Sequence, residues 1–420
     1  MASGSGFFGW RVVWAAFVLA VFGWGVGFYG PPVFLHAVLE RTGWTLALVS
    51  GAVTLHFLFG ALVVANLPRL YGRFGVPLVT TGGAVALALG VLGWALAATP
   101  WQLLLAALLS GAGWVALGAA ALNAIIAPWF VRARPAALST AYNGASLGGI
   151  LLSPLWVALI AGIGFAAAAA LLGTVMVITV GLLSARVFAR TPASLGQAPD
   201  GPAAAPRAAA RQDAGLPGLA GAALYRDRAF LSLAAGMALG LFAQIGLIAH
   251  LFSILVPALG AQGAGLAMGF ATACAIAGRT AVGWALPAGA TGAKRRHVAA
   301  ASYGVQLAGA LILMTAGSGD TVLILLGVAL FGAGIGNATS LPPLIAQREF
   351  AAAEVQRVVS MIVALGQAGY AFAPAAFGLL RALGPAGPRL GPGDEPLVFA
   401  VAAAIQGLAI LCFLAGRRAP

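Results

Sequence analysis

A chain of 420 residues that is 61% hydrophobic and only 7% charged is not a water-soluble globular protein, because soluble domains carry about 25% charged residues. Its net charge of +13 would suit nucleic acid if the cations were clustered, but they lie between apolar runs. The two cysteines, Cys274 and Cys412, both fall in apolar segments and imply neither a disulfide framework nor a metal site.

The first apolar run covers 10–35. No positive charge precedes it in 1–8, and it is long for a cleaved signal, so it reads as a retained span. Tyr29 sits in it beside Gly30, Pro31 and Pro32, where a helix should break. Broken helices in a membrane are tolerated where they line protein or a cavity, which makes Tyr29 a candidate lining residue. Further runs follow at 44–67, 75–98, 101–130, 136–163 and 164–188. His56, in the second run, reads as a packing residue. Asn123 and Asn143 lie in the fourth and fifth.

A polar stretch, 190–226, is rich in Ala, Pro and Gly and suits a flexible linker. Six more apolar runs follow, at 229–257, 264–286, 298–316, 321–345, 358–380 and 397–415. Asn337 and Ser340 precede Pro342 and Pro343 in the tenth run, and Gln367 and Tyr370 lie in the eleventh. Singly, each such residue can be interhelical glue; as a group they favour a polar passage. Most runs reach the ~20 residues that cross a ~30 Å hydrocarbon core, and the period-two alternation of barrel strands is absent. The expected fold is an all-α polytopic membrane protein of twelve transmembrane helices in two pseudo-symmetric six-helix bundles, 1–189 and 227–420, joined by the linker 190–226.

The halves show weak internal symmetry. SGAGW at 110–114 pairs with FGAGI at 331–335, offset by about 221 residues, and NGASLGGILLSP at 143–154 pairs with LGQAGYAFAP at 365–374. Such repeats around a central linker are a signature of two-bundle transporters. Charge placement sets the orientation. With both termini in the cytoplasm, eighteen of the 22 Lys and Arg lie inside and only Arg41, Arg381 and Arg389 outside. That split explains the basic balance without nucleic acid.

The remaining cation is Arg279, in the run LAMGFATACAIAGRTAVGWALP at 266–287. It is expected at about half the depth of the core, as the sole ionised side chain inside the spans. An arginine there costs about 2.5–3.5 kcal/mol on insertion scales, and intramembrane charges mark functional sites. The small residues around it at helical spacing leave room in front of the guanidinium. The competing reading is an arginine that holds backbone carbonyls.

With these residues in view, the chain resembles the major facilitator superfamily over nearly its whole length outside the linker. PRLYGRFGVP at 68–77 is similar to the loop motif of that family: Leu70, Arg73 and Gly75 fit, whereas Pro68, Gly72, Val76 and Pro77 depart from it. FFGWRVVWAAFV at 7–18, Gly43-Trp44, His250-Leu251 and AGRTAVGW at 277–284 resemble the bacterial branch related to monocarboxylate transporters and oxalate–formate antiporters. The resemblance implies that Arg279 anchors a carboxylate and that His250 lines the same cavity. Two positions depart: Ala275 stands where animal relatives carry aspartate, and the eleventh run lacks the lysine of the antiporters.

The expected function is secondary transport of a small organic anion, a monocarboxylate, by alternating access, with protons as a coupling ion. The alternative is an exporter of the same fold for an amphipathic or neutral small molecule. An enzyme would need clustered His, Asp or Glu, and the nine acids fall in loops or at run ends. No P-loop appears. The expected substrate-binding residues are Arg279, His250, Tyr29, Asn123, Asn143, Asn337, Gln367 and Tyr370, with no cofactor and no metal. The expected setting is the cytoplasmic membrane of a bacterium, with the chain as a monomer and lipid and a small anion as its partners.

Overall fold

The computed structural model describes residues 7–201, 221–286, 290–384 and 390–416. Among these the regular structure is helical, without a strand. The chain divides into two compact units, Met1–Ala208 and Ala209–Pro420. The first holds α1 (Gly9–Gly27), α2 (Gly30–Thr42), α3 (Leu46–Leu96), α4 (Pro100–Val115), α5 (Ala119–Ile126), α6 (Arg134–Ile163) and α7 (Phe165–Leu183). The second holds α8 (Arg228–Ala285), α9 (Gly292–Thr315), α10 (Thr321–Ala338), α11 (Leu341–Glu349), α12 (Ala352–Tyr370), α13 (Ala373–Ala382) and α14 (Pro396–Ala415).

Among the described residues, ten helical runs are long and apolar enough to cross a membrane. Two of them, α3 with 51 residues and α8 with 58, far exceed the ~20 residues of one crossing. Each contains one non-helical residue, Gly75 (φ 78°, ψ 155°) in α3 and Gly260 (φ 69°, ψ 166°) in α8. A side chain would be strained at those angles, so glycine is what lets each run divide into two helices. Large apolar side chains such as Trp14, Leu89, Leu105, Trp284 and Val322 are exposed on the outside of the units, where hydrocarbon rather than water would meet them.

The first unit is broken where proline removes a donor. Pro31 and Pro32 have no N–H, so the Gly27 and Phe28 carbonyls lose their helical partners. His56 Nε2 donates to the Gly27 carbonyl at 2.9 Å, and its Nδ1 lies 2.9 Å from Ser110 Oγ, which also accepts from Trp94 Nε1 at 3.1 Å. His56 packs, as expected, and its hydrogen bonds also repair the break beside Tyr29.

The two glycine motifs of the sequence repeat occupy matching local environments. A Cβ on Gly111 would strike the His56 carbonyl, and one on Gly113 would strike Gly83 and Leu87, so α4 lies against both parts of α3. A Cβ on Gly332 would strike the Ala271 carbonyl of α8, and one on Gly334 the Ser302 carbonyl of α9. Shortly after each motif the helix breaks, before Ala119 in one unit and before Leu341 in the other.

The expected flexible linker needs correction at its ends. Residues 193–195 and 221–226 form 3-10 turns. Asp200 folds back on the loop between α5 and α6, where its carboxylate accepts from the N–H groups of Val131 (3.1 Å), Arg132 (2.8 Å) and Ala133 (3.2 Å). These bonds, that to Arg132 foremost, hold its carboxyl below the usual carboxylate range. Gln197 also accepts from the Phe8 N–H at 3.0 Å. Composition alone suggested flexibility because the capping acid lies 67 to 69 residues from its donors. The middle of the linker, 202–220, lies outside the described residues.

Candidate functional site

Arg279 stands in the second part of α8, six residues before its end at Ala285. That is about 9 Å of helical rise, shallower than the half-depth expected. The expected depth places Arg279 roughly ten residues from the polar end of its run, whereas α8 ends at Ala285 and the basic run 294–296 already belongs to α9. At Gly278 the backbones of α8 and α10 touch, because a Cβ there would strike the Ala333 carbonyl. This approach lets Arg279 Nε donate to the Gly336 carbonyl at 3.2 Å, a carbonyl that also accepts from Ser340 Oγ at 3.1 Å. Asn337 Nδ2 lies 3.5 Å from the Gly278 carbonyl, and its buried Oδ1 has no hydrogen-bond partner.

In front of Arg279 lies a cavity of about 590 Å³ between α8, α9, α10 and α11. Its polar lining is Arg279, Arg295, Asn337, Ser340, Gln347 and Arg348; its apolar lining includes Val282, Leu286, Leu341 and Leu344. Three arginines line this space, and among the described residues its lining includes no acid. Arg295 is buried, with Nε donating to the Ala290 carbonyl at 3.2 Å and a terminal nitrogen to the Leu344 carbonyl at 3.1 Å.

Arg279 is not the only charge in the spans. Arg296 is fully buried on Glu349, with N–O distances of 2.6 and 2.7 Å, and also donates to Ser232 and to the Ala229 and Phe413 carbonyls. Arg381, expected outside, is buried on Glu395 with N–O distances of 2.9 Å from Nε to both oxygens. These residues lie just outside the apolar runs, at or near helix ends, where the fold buries their charges against one another. A buried ladder, Gln244 to Gln306 to Gln406 at 3.2 and 3.3 Å, also crosses the second unit. It places one buried amide on each of α8, α9 and α14.

His250 lies elsewhere in this unit. It is fully buried, and its Nε2 donates to the Pro374 carbonyl at 2.8 Å. Its Nδ1 lies 3.4 Å from a terminal nitrogen of Arg381, which also donates to Ser253 at 2.6 Å. Because Nδ1 faces a donor, it must present a lone pair, and the ring is held as the neutral tautomer. His250 does not line the cavity of Arg279. Gln367 is half-buried on α12, and Tyr370 packs on the core around Phe230, Phe350 and Phe413; neither lines that cavity.

In the first unit, Tyr29 is buried at the α1–α2 break. Asn123 Nδ2 donates to the Ala119 carbonyl at 2.9 Å and contacts Tyr142 Oη at 3.1 Å. Asn143, the next residue, is exposed on α6. The structure thus brings Arg279, Asn337 and Ser340 together and adds Arg295, Gln347, Arg348 and, elsewhere, Tyr142. By hydropathy Arg295 and Arg348 count with the cytoplasmic loops; Pro342 and Pro343, in the first turn of α11, are the signal that a further helix carries the chain on to Gln347 and Arg348.

A model of the family described as Major Facilitator Superfamily matches residues 13–374. No curated protein matches the sequence. Among solved structures, the nucleoside transporter NupG is similar with a TM-score of 0.72 at 14% identity, covering 97% of this chain and 98% of that one. A bacterial homologue of the human lysosomal transporter Spinster, inward-facing and unoccupied, is similar with a TM-score of 0.67 at 16% identity, covering 99% and 100%. At these identities the likeness concerns the fold.

Proposed function

Because the chain belongs to the major facilitator superfamily, a family of transporters and not of enzymes, we propose that it is a secondary active transporter of a small organic anion, a carboxylate, held at Arg279. The observation that carries this reading is the cavity of about 590 Å³ in front of Arg279, with Arg295 and Arg348 also in its lining. Arginines gathered along one cavity wall favour an anionic ligand.

In this reading α3 and α8 each cross the membrane twice, which brings ten helical runs to twelve crossings in two six-helix halves, 1–189 and 227–420, acting as a monomer. The halves rock around the site in alternating access. Both termini face the cytoplasm of a bacterium, as the excess of Lys and Arg in the loops on that side supports. His250 is held neutral between a carbonyl and Arg381, which favours a proton that travels on the substrate carboxylate over one that travels on the imidazole. Tyr29, Asn123, Asn143, Gln367 and Tyr370 stay as candidate lining residues of the passage.

The test is uptake of labelled carboxylates into proteoliposomes. Arg279→Gln should lower uptake by about a hundredfold, the loss of one charge-assisted contact of about 3 kcal/mol. Wild-type uptake in that variant would sink the assignment. The buried, unpartnered Asn337 Oδ1 favours a second reading, export of a neutral molecule with hydrogen-bond donors. A thermal-shift series decides between them: carboxylates should stabilise the purified protein and neutral donors should not.

A further inference from the structure

The helix α11 is nine residues long and is separated from α10 by the break at Thr339 and Ser340. Continuity with α10 therefore does not fix where its far end lies. That end carries Arg348 and Glu349 side by side, and the start of α9 carries Arg295 and Arg296 side by side. Neighbouring residues point about 100° apart on a helix, and in each pair the two side chains divide. Arg295 and Arg348 line the cavity. Arg296 and Glu349 meet each other away from it, with N–O distances of 2.6 and 2.7 Å.

This buried pair is firmly seated. Arg296 also donates to Ser232 and to the Ala229 and Phe413 carbonyls, so it binds α9 to the start of α8 and the end of α14. The Glu349 carboxylate lies on the first turn of α9, where a Cβ on Gly292 would come within 2.9 Å of its Oε1. The positive end of the α9 dipole favours a carboxylate at that place. Across the same contact Arg295 donates to the Leu344 carbonyl at 3.1 Å. Leu344 stands one turn before Arg348 on α11 and shares its face.

We propose that Glu349 is a positioning residue of the anion site: through Arg296 it pins the far end of α11 to α9, so that Arg348 stands at the cavity beside Arg295. Resting on the reading of this cavity as an anion site, the inference gives the acid next to Arg348 a role in affinity besides its role in stability.

The experiment uses the full chain in phosphatidylcholine proteoliposomes. Uptake of formate, propionate and succinate is compared, and KM and Vmax per folded transporter are measured for the acid that wild type takes up fastest. Glu349→Gln should raise KM about tenfold while Vmax stays within about twofold. Glu349→Asp, which keeps the charge, should restore most of the affinity. In an Arg348→Gln background the Glu349→Gln change should leave KM nearly unmoved, because a residue that acts through Arg348 then has nothing to position. Where Glu349→Gln does not reconstitute, Gly292→Ala carries the same comparison: its Cβ displaces the carboxylate and keeps the charge, for a rise in KM of about threefold. A KM that stays unchanged, or that rises equally with and without Arg348, overturns the proposal; loss of uptake in Arg279→Gln then leaves the anion site standing. Wild-type uptake by Arg279→Gln, or uptake of none of the three acids by wild type, overturns the anion site and the proposal with it.

Discussion

The two units solve the problem of buried polar groups differently. The first uses neutral side chains: His56, Ser110 and Trp94 make up for a carbonyl that proline left without a donor, and Asn123 meets Tyr142. The second uses charge. Both buried arginine–glutamate pairs of the described residues lie there, as do the three arginines of the cavity. Similar glycine packing of α4 and α10 therefore supports two different interiors. A neutral network costs little to bury and holds its shape, which suits a scaffold. Charge is expensive in a dry interior and persists where it is paired or where a ligand completes it.

The largest expected effect on stability breaks the charged side of this contrast. Glu349→Ala leaves Arg296 buried without its carboxylate and should cost about 3–5 kcal/mol, read as a large fall in the unfolding midpoint in detergent. A shift near zero would mean that water reaches the pair. The neutral network should be worth less. His56→Leu strands the Gly27 carbonyl and should cost about 1–3 kcal/mol by the same measurement. A loss equal to that of Glu349→Ala would erase the distinction between the units.

The smallest effect sharpens the contrast at the surface. Asp200→Ala removes a cap shared by three N–H groups and should cost about 1 kcal/mol. Proteolysis at the loop between α5 and α6 would report it. The folded-state pKa of Asp200 lies below its ordinary value. Its contribution is therefore complete above about pH 3.9 and is lost as the pH falls through the lower folded value. A wild-type loop cut equally fast on both sides of that window would argue against the clamp.

The helical, membrane-spanning character of this chain was legible in its sequence, because apolar runs of about 20 residues admit few other structures. So was the glycine repeat, since close helix approach needs residues without a Cβ. Arg279 was visible as a costly charge in an apolar run. Its surroundings were not. Whether a basic residue near the end of a run belongs to a loop or to a helix wall depends on where the helix stops, and helices stop by capping and packing, not by hydropathy. Tertiary structure therefore decided that Arg295 and Arg348 face the cavity of Arg279 and that Arg296 and Arg381 lie on glutamates. It also decided that His250 packs against Arg381 and not into that cavity. These contacts join residues far apart in the chain, and sequence spacing encodes neighbours along a helix, not partners across one.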